Sequence, residues 1–444
     1  MTNLYVVCFL RLKELFGLAS FQFLINFRRA IFFTFLSIYM YFELGVSATL
    51  TNSLFFMSMT ASSFGQSFIW GKVSDRFQIR RKLIVLGEGV AAVVHILMFY
   101  VHIWTFNVIG VIASGLVLIA MMAVLEAFWS ASNVGWSALL SDMTDETTRR
   151  RIIGPISAFG GVGTIIGAFL AAFLYDFPRA GEGFRQGTIF YATAFVIMFS
   201  AVLVLKTLPE GGTVLASDKL NEPIISSESI KTPRVYWFLL IATFVYFMGS
   251  WAAYTALPLY ARLESTFNAT SIQIALIRTA WACSLILIAP LVTIMASRLG
   301  LRWSFLLSAG ITVITIPALA LAPTFELYLL VILVQGGFQN VSTQISYLLA
   351  SEIIPVEARG RLFGYYNGLS FLTFGLGGVI VTGPVIDVAV AWGSPQALAF
   401  QLAFLSAFGW VLLGIIFHLP VLKFVTRKEK SLRDNELASK GRLS

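Results

Sequence analysis

Residues 106–140 read FNVIGVIASGLVLIAMMAVLEAFWSASNVGWSALL, a run whose only charge is Glu126. A helix that crosses a bilayer needs about 20 apolar residues, because lipid offers no partner for a free backbone N–H or C=O. The run lacks the apolar–polar alternation of a barrel strand. It reads as a membrane-spanning helix, the fourth of twelve: 18–42, 48–71, 83–102, 106–140, 152–175, 188–208, 234–261, 270–296, 302–322, 325–351, 362–390 and 396–421. The expected fold class is an all-α membrane protein. Composition points the same way, with 58% apolar and 12% charged residues in 444. Soluble globular chains carry roughly 25% charged residues, so a soluble enzyme and a disordered scaffold are both excluded.

The charge is distributed by side. The chain has 31 Lys and Arg against 22 Asp and Glu. Most basic residues fall in alternate loops: Lys72 to Lys82, Arg149 to Arg151, Arg298 and Arg302, Arg359 and Arg361, and the tail from Lys423. The intervening loops hold only Arg179, Arg185 and Arg262. By the positive-inside rule this places both termini in the cytoplasm, in a multi-pass protein of the cell membrane. No aromatic–basic interleaving marks a nucleic-acid surface, so the lipid bilayer is the expected macroscopic partner. Cys8 and Cys283 cannot form a disulfide framework. Residues 1–17 lack a small-residue cleavage site and read as an interfacial segment, not a signal peptide.

Residues 209–233 form the longest polar interruption inside the chain and divide it into a bundle over 18–208 and a bundle over 234–421, with a basic tail over 422–444. The two halves repeat. Ser141-Asp142, Arg149, Arg151 and Gly154 recur 210 residues later as Ser351-Glu352, Arg359, Arg361 and Gly364. Asp75-Arg76 and Arg80 recur 222 later as Ser297-Arg298 and Arg302. Repeats of six spans in the same direction build a pseudo-two-fold pair around a site near the bilayer midplane, as in secondary transporters.

Between the second and third spans stands Gly71-Lys72-Val73-Ser74-Asp75-Arg76-Phe77-Gln78-Ile79-Arg80-Arg81-Lys82. A glycine followed four residues on by Asp-Arg and then by basic residues resembles the loop signature of the major facilitator superfamily, with Gln78 where that family usually has glycine. The acid-then-arginine pairs Asp142/Arg149 and Glu352/Arg359 resemble a second family feature, and the similarity covers nearly the full chain. It implies a cytoplasmic gate built from Gly71, Asp75, Arg76, Arg80, Asp142, Arg149, Glu352 and Arg359. Gly71 is expected to let the second span approach its neighbour closely. The resemblance also implies that the first, fourth, seventh and tenth spans line the cavity. The fifth span, with Gly154, Gly160, Gly161, Gly163 and Gly167, partly resembles the glycine-rich helix of the drug/proton antiporter branch, although Thr164 replaces its proline and Ala168 its last glycine.

Ionisable residues at membrane depth are costly and mark function or structural pairing. Arg28 and Arg29 lie in the first span, Glu126 in the fourth and Arg278 in the eighth. Glu88 and His95 lie in the third, Glu88 one turn in and near the cytoplasmic surface. Arg28 or Arg29 with Glu126 is the favoured constellation. Adjacent residues point about 100° apart, so one arginine should face the cavity and the other a neighbouring helix. Glu126 leads a stripe with Ser130, Asn133 and Ser137, flanked by Trp129, and the tenth span repeats the spacing in Gln335, Gln339, Ser342 and Ser346. Tyr254 adds an aromatic wall, with His95 and Arg278 as secondary candidates. A structural ion pair between the first and fourth spans is the competing reading.

Gly65 to Lys72 has the wrong glycine spacing for a phosphate loop, and His95 and His102 have no carboxylate at metal spacing. No catalytic residues, metal or cofactor are expected. The expected function is proton-coupled export of a small amphipathic solute by alternating access, in a monomer, with the solute and protons as ligands. Uptake or facilitated transport of a sugar or organic anion is the alternative, followed by a non-transporting membrane sensor.

Overall fold

A computed structural model describes residues 12–144, 146–179, 181–211, 233–355 and 359–440. Residues 1–11 and 212–232 and the side chains of Asp75, Arg149 and Arg359 lie outside the described residues. Among the described residues there are twelve long helices and no strand. We number them α1 (12–43), α2 (48–77), α3 (Arg80–Val108), α4 (Val111–Met143), α5 (Glu146–Tyr175), α6 (Thr188–Thr207), α7 (Arg234–Arg262), α8 (271–299), α9 (301–321), α10 (Phe325–Ile353), α11 (359–391) and α12 (Gln396–Lys440).

Local chemistry sets the boundaries. The Ser47 hydroxyl accepts from the Leu50 N–H at 3.3 Å and starts α2 as an N-cap; Thr324 does the same for Leu327 at the head of α10. Gly300, at φ 73°, breaks α8 from α9. Ten helices are long and apolar enough to span a bilayer. The other two, α2 and α10, carry the polar residues that lower their hydropathy: Thr51, Asn52, Ser58 and Ser62 in α2, and Gln335, Gln339, Ser342 and Ser346 in α10, all buried. Helices α1, α2 and α11 each contain a π-helical stretch, at Tyr39–Glu43, Gly65–Trp70 and Gly378–Thr382. Residues 12–17 already belong to α1, and the turn after α3 falls at Ile109 and Gly110, later than the break expected at 103–105.

The chain forms two compact units. One holds α1–α6 with residues 268–282; the other holds α7, residues 283–299 of α8, and α9–α12. In the first, α1 packs along α5 and α6, α4 along α2 and α3, and α3 along α6. In the second, α7 takes the place of α1, packing along α11 and α12. The glycine content of α5 is explained by this packing: a Cβ at Gly163 or Gly167 would strike the carbonyl oxygen of Phe23 or Phe27. Gly377 brings α11 onto α7 likewise, where a Cβ would lie 2.5 Å from the Met248 carbonyl oxygen. Small residues let membrane helices touch backbone to backbone, and the repeat seen in sequence recurs as repeated packing.

Candidate functional site

The first unit buries two arginine–glutamate pairs side by side, and they differ in kind. Arg28 Nη1 of α1 pairs with Glu88 Oε2 of α3, with side-chain exposures of 1% and 0%. The Ser132 hydroxyl of α4 donates to Glu88 Oε1 and the Ser200 hydroxyl of α6 reaches Oε2 at 3.5 Å. Four helices thus meet on one carboxylate. Trp129 of α4 lays its ring 4.5 Å from the Arg28 guanidinium, a cation–π contact that completes the seal. Glu88 therefore does not approach the cytoplasmic surface. It lies more than two turns inside α3, because that helix begins at Arg80.

Arg29 and Glu126 make the looser pair. Their closest approach is 3.7 Å, outside hydrogen-bond length, and Arg29 is 33% exposed while Glu126 is 1% exposed. The Ser62 hydroxyl of α2 comes near Glu126, yet neither carboxyl oxygen closes a hydrogen bond among the described residues, and neither does Arg29 Nε. Trp129 also stands 5.7 Å from Arg29, so one indole separates the sealed pair from the loose one. His95 packs on Phe32 and Trp129, donates from Nδ1 to the Ala91 carbonyl at 3.1 Å, and is fully buried. Arg278 groups with this unit and lies close enough to Arg29 for their charges to repel.

The remaining expected cavity residues are dispersed. Ser130 lies against Gly65 of α2, and its hydroxyl donates to the Ala127 carbonyl of its own helix at 2.7 Å. Asn133 is half-buried further along α4. In the second unit, Tyr254 stacks edge-on with Trp251 and near Phe374, and Gln335 and Gln339 are buried on α10.

In the loop between α2 and α3, Arg80 Nε meets Asp142 Oδ2 at 3.2 Å, and its other nitrogens bond Ser74 Oγ and Gln78 Oε1. This joins the start of α3 to the end of α4 within the first unit. Gly71 does not serve close helix approach: its nearest neighbour is the Gln66 carbonyl of its own helix, displaced there by the π-helical turn. Gly65 is the glycine where α2 meets α4, at Ser130 and the Ala127 carbonyl. Arg76 is exposed over the Phe77 ring, and Glu352 is exposed at the end of α10. Sequence reading missed Glu210. Its carboxylate pairs with Arg81 at 3.3 Å and accepts from the Lys82 N–H at 3.1 Å, so the start of the linker caps α3. Only its place just after α6, facing a basic loop, could have signalled this.

The family model of the Major Facilitator Superfamily matches residues 18–266 and 239–443. The Multidrug resistance protein MdtG of Proteus mirabilis (strain HI4320) is 25% identical over 350 residues, covering 78% of this chain and 78% of that protein. An uncharacterized MFS-type transporter, YfhI of Bacillus subtilis (strain 168), is 26% identical over 140 residues, 32% of this chain and 35% of that protein. Among solved structures, the nucleoside transporter NupG matches with a TM-score of 0.66 at 18% identity, covering 91% of this chain and 98% of its own. A bacterial homolog of the lysosomal transporter Spinster matches with a TM-score of 0.69 at 12% identity, covering 92% and 96%. These likenesses to solved structures establish a shared fold. The chain belongs to the Major Facilitator Superfamily and is a multi-pass membrane transporter, not an enzyme.

Proposed function

We propose that this transporter exports small amphipathic solutes in exchange for protons, with Glu126 as the group that takes and gives the proton. The observation that carries this reading is the contrast between the two buried acids. Glu88 is held by a guanidinium and two hydroxyls, so a proton arriving there would break a network joining four helices. Glu126 has one cation at 3.7 Å and no closed hydrogen bond. Burial favours its neutral form and the guanidinium favours its ionised form; a carboxyl between such opposed influences can change state with little rearrangement. Arg29, a third exposed, gives the pair a hydrated side.

Alternating access then follows from repeated bundles rocking about a central site. The Arg80–Asp142 cluster, with Asp75, Arg149, Glu352 and Arg359, serves as the cytoplasmic closure, both termini lie in the cytoplasm, and the monomer is the working form. The name of the MdtG relatives supports export of several drugs. In proteoliposomes, an imposed pH gradient should drive uptake of at least one dye from a panel of fluorescent amphipathic dyes that includes ethidium. Glu126→Gln should abolish gradient-driven uptake and keep dye-for-dye exchange. Driven uptake that survives in that variant would overturn the assignment.

A further inference from the structure

The polar stripe of α10 is only half closed by protein. Ser342 donates to Ser308 Oγ of α9 at 3.0 Å, and Ser346 bonds Thr243 of α7 at 3.2 Å, so those two hydroxyls are satisfied. Gln335 and Gln339 are as deeply buried, at 0% and 1% exposure. Yet both amide nitrogens and both amide oxygens lack a partner among the described residues. Buried polar groups in folded proteins almost always have partners, and each exception calls for an explanation. One amide left open could reflect local packing. Two in succession, with every donor and acceptor open, make a pattern.

The geometry of the pair is defined. Four residues of helix separate them by about 6 Å along one face. Gly337 between them carries no side chain, and Ile288 of α8 packs into that position as an apolar wall. A glutamine amide presents a donor beside an acceptor. Its natural complement is a planar edge with an adjacent acceptor and donor, the pairing that Gln makes with the edge of a nucleic-acid base. Neither amide carries charge, whereas the ionised pairs described above belong to the first unit.

We propose that Gln335 and Gln339 bind the transported solute by a neutral cis-amide edge, as in a lactam, cyclic imide or related heteroaromatic ring. This rests on the export reading and names its substrate class. Recognition of the load falls to amides on α10, and proton exchange to Glu126 on α4. A site built to hydrogen-bond such an edge rejects an analogue that lacks the donor far more strongly than a hydrophobic pocket would.

The test compares 2-quinolone, which has the N–H beside the C=O, with N-methyl-2-quinolone, by equilibrium dialysis against the purified full-length protein in detergent micelles. 2-Quinolone should bind at least tenfold more tightly, about 1.4 kcal/mol. Gln335→Leu and Gln339→Leu should each weaken 2-quinolone binding by tenfold or more, yet raise the unfolding temperature of the ligand-free protein, because an unsatisfied buried amide is removed. A purely structural role for the amides predicts the opposite stability change. Glu126→Gln should keep the parent's preference for 2-quinolone over its N-methyl analogue, so loss of proton coupling and loss of recognition are separable. Equal binding of the two quinolones, no binding of either, or destabilised leucine variants would overturn the proposal.

Discussion

Replacing Glu88 with glutamine leaves Arg28 charged in the interior of the first unit with no counter-charge in contact, since both side chains are within 1% of complete burial. Removing one partner of a buried ion pair costs about 3–5 kcal/mol, and an arginine stranded at the centre of a membrane helix costs about 2.5–3.5 kcal/mol on insertion scales. About 3 kcal/mol, near two decades in the unfolding equilibrium, is therefore expected for Glu88→Gln and for Arg28→Leu. The double variant Arg28→Leu/Glu88→Gln buries no charge. Its Ser132 hydroxyl can turn to the Ile84 carbonyl, already 3.4 Å away, so the double change should cost no more than either single one. A double-mutant cycle should then give a coupling of at least about 3 kcal/mol. Unfolding in mixed micelles, followed through the fluorescence of Trp129 beside Arg28, measures all four corners. The same cycle on Arg29 and Glu126, with one partner a third exposed and the pair at 3.7 Å, should give less than about 1 kcal/mol. Additive single changes at Arg28 and Glu88 would refute the sealed-pair reasoning.

Gln78 adopts left-handed backbone, φ 53° and ψ 32°, at the position where the family usually has glycine. Gln78→Gly should be neutral or stabilise by up to about 1 kcal/mol, and Gln78→Val should destabilise by about 1 kcal/mol or more, read by thermal unfolding. Gly163→Ala or Gly167→Ala should destabilise by about 1–3 kcal/mol, since the added methyl meets a backbone carbonyl of α1. Gly154→Ala, with open space around it, should leave the unfolding temperature unchanged. Glu210→Ala removes a partly exposed pair and a helix cap; it should cost about 1 kcal/mol, with a smaller loss at high salt.

Ten of the helices were legible as spans because hydropathy and length report directly on what lipid permits, and α2 and α10 were legible from their length despite the polar residues they bury. The glycines of α5 were legible because a small residue at spacings of three and four in a membrane helix has few uses other than close packing. The partners of the buried charges were not. Arg28 and Arg29 are neighbours in sequence, and which faces α3 and which faces α4 depends on the rotation of α1 about its axis, fixed by glycine contacts with α5 that no local pattern in α1 reveals. Glu88 was misplaced because α3 starts at Arg80, three residues before the apolar run begins. Ser130 fits the polar stripe by spacing, yet a serine in a helix can satisfy itself on its own backbone, as it does here. Gly71 and Gly65 could not be told apart without the π-helical turn between them, which shifts the face α2 presents. Glu210 binds residues more than a hundred positions away, beyond the reach of local pattern.

Proton coupling turns on a single acid, Glu126, exchanging its proton as the solute binds. In weakly buffered solution, a pH indicator can follow proton release when a transported dye is added to the purified protein. Release approaching one proton per dye bound is expected, and none from Glu126→Gln at equal dye occupancy. Release of equal size from that variant, or binding to the parent protein without any proton release, would contradict it.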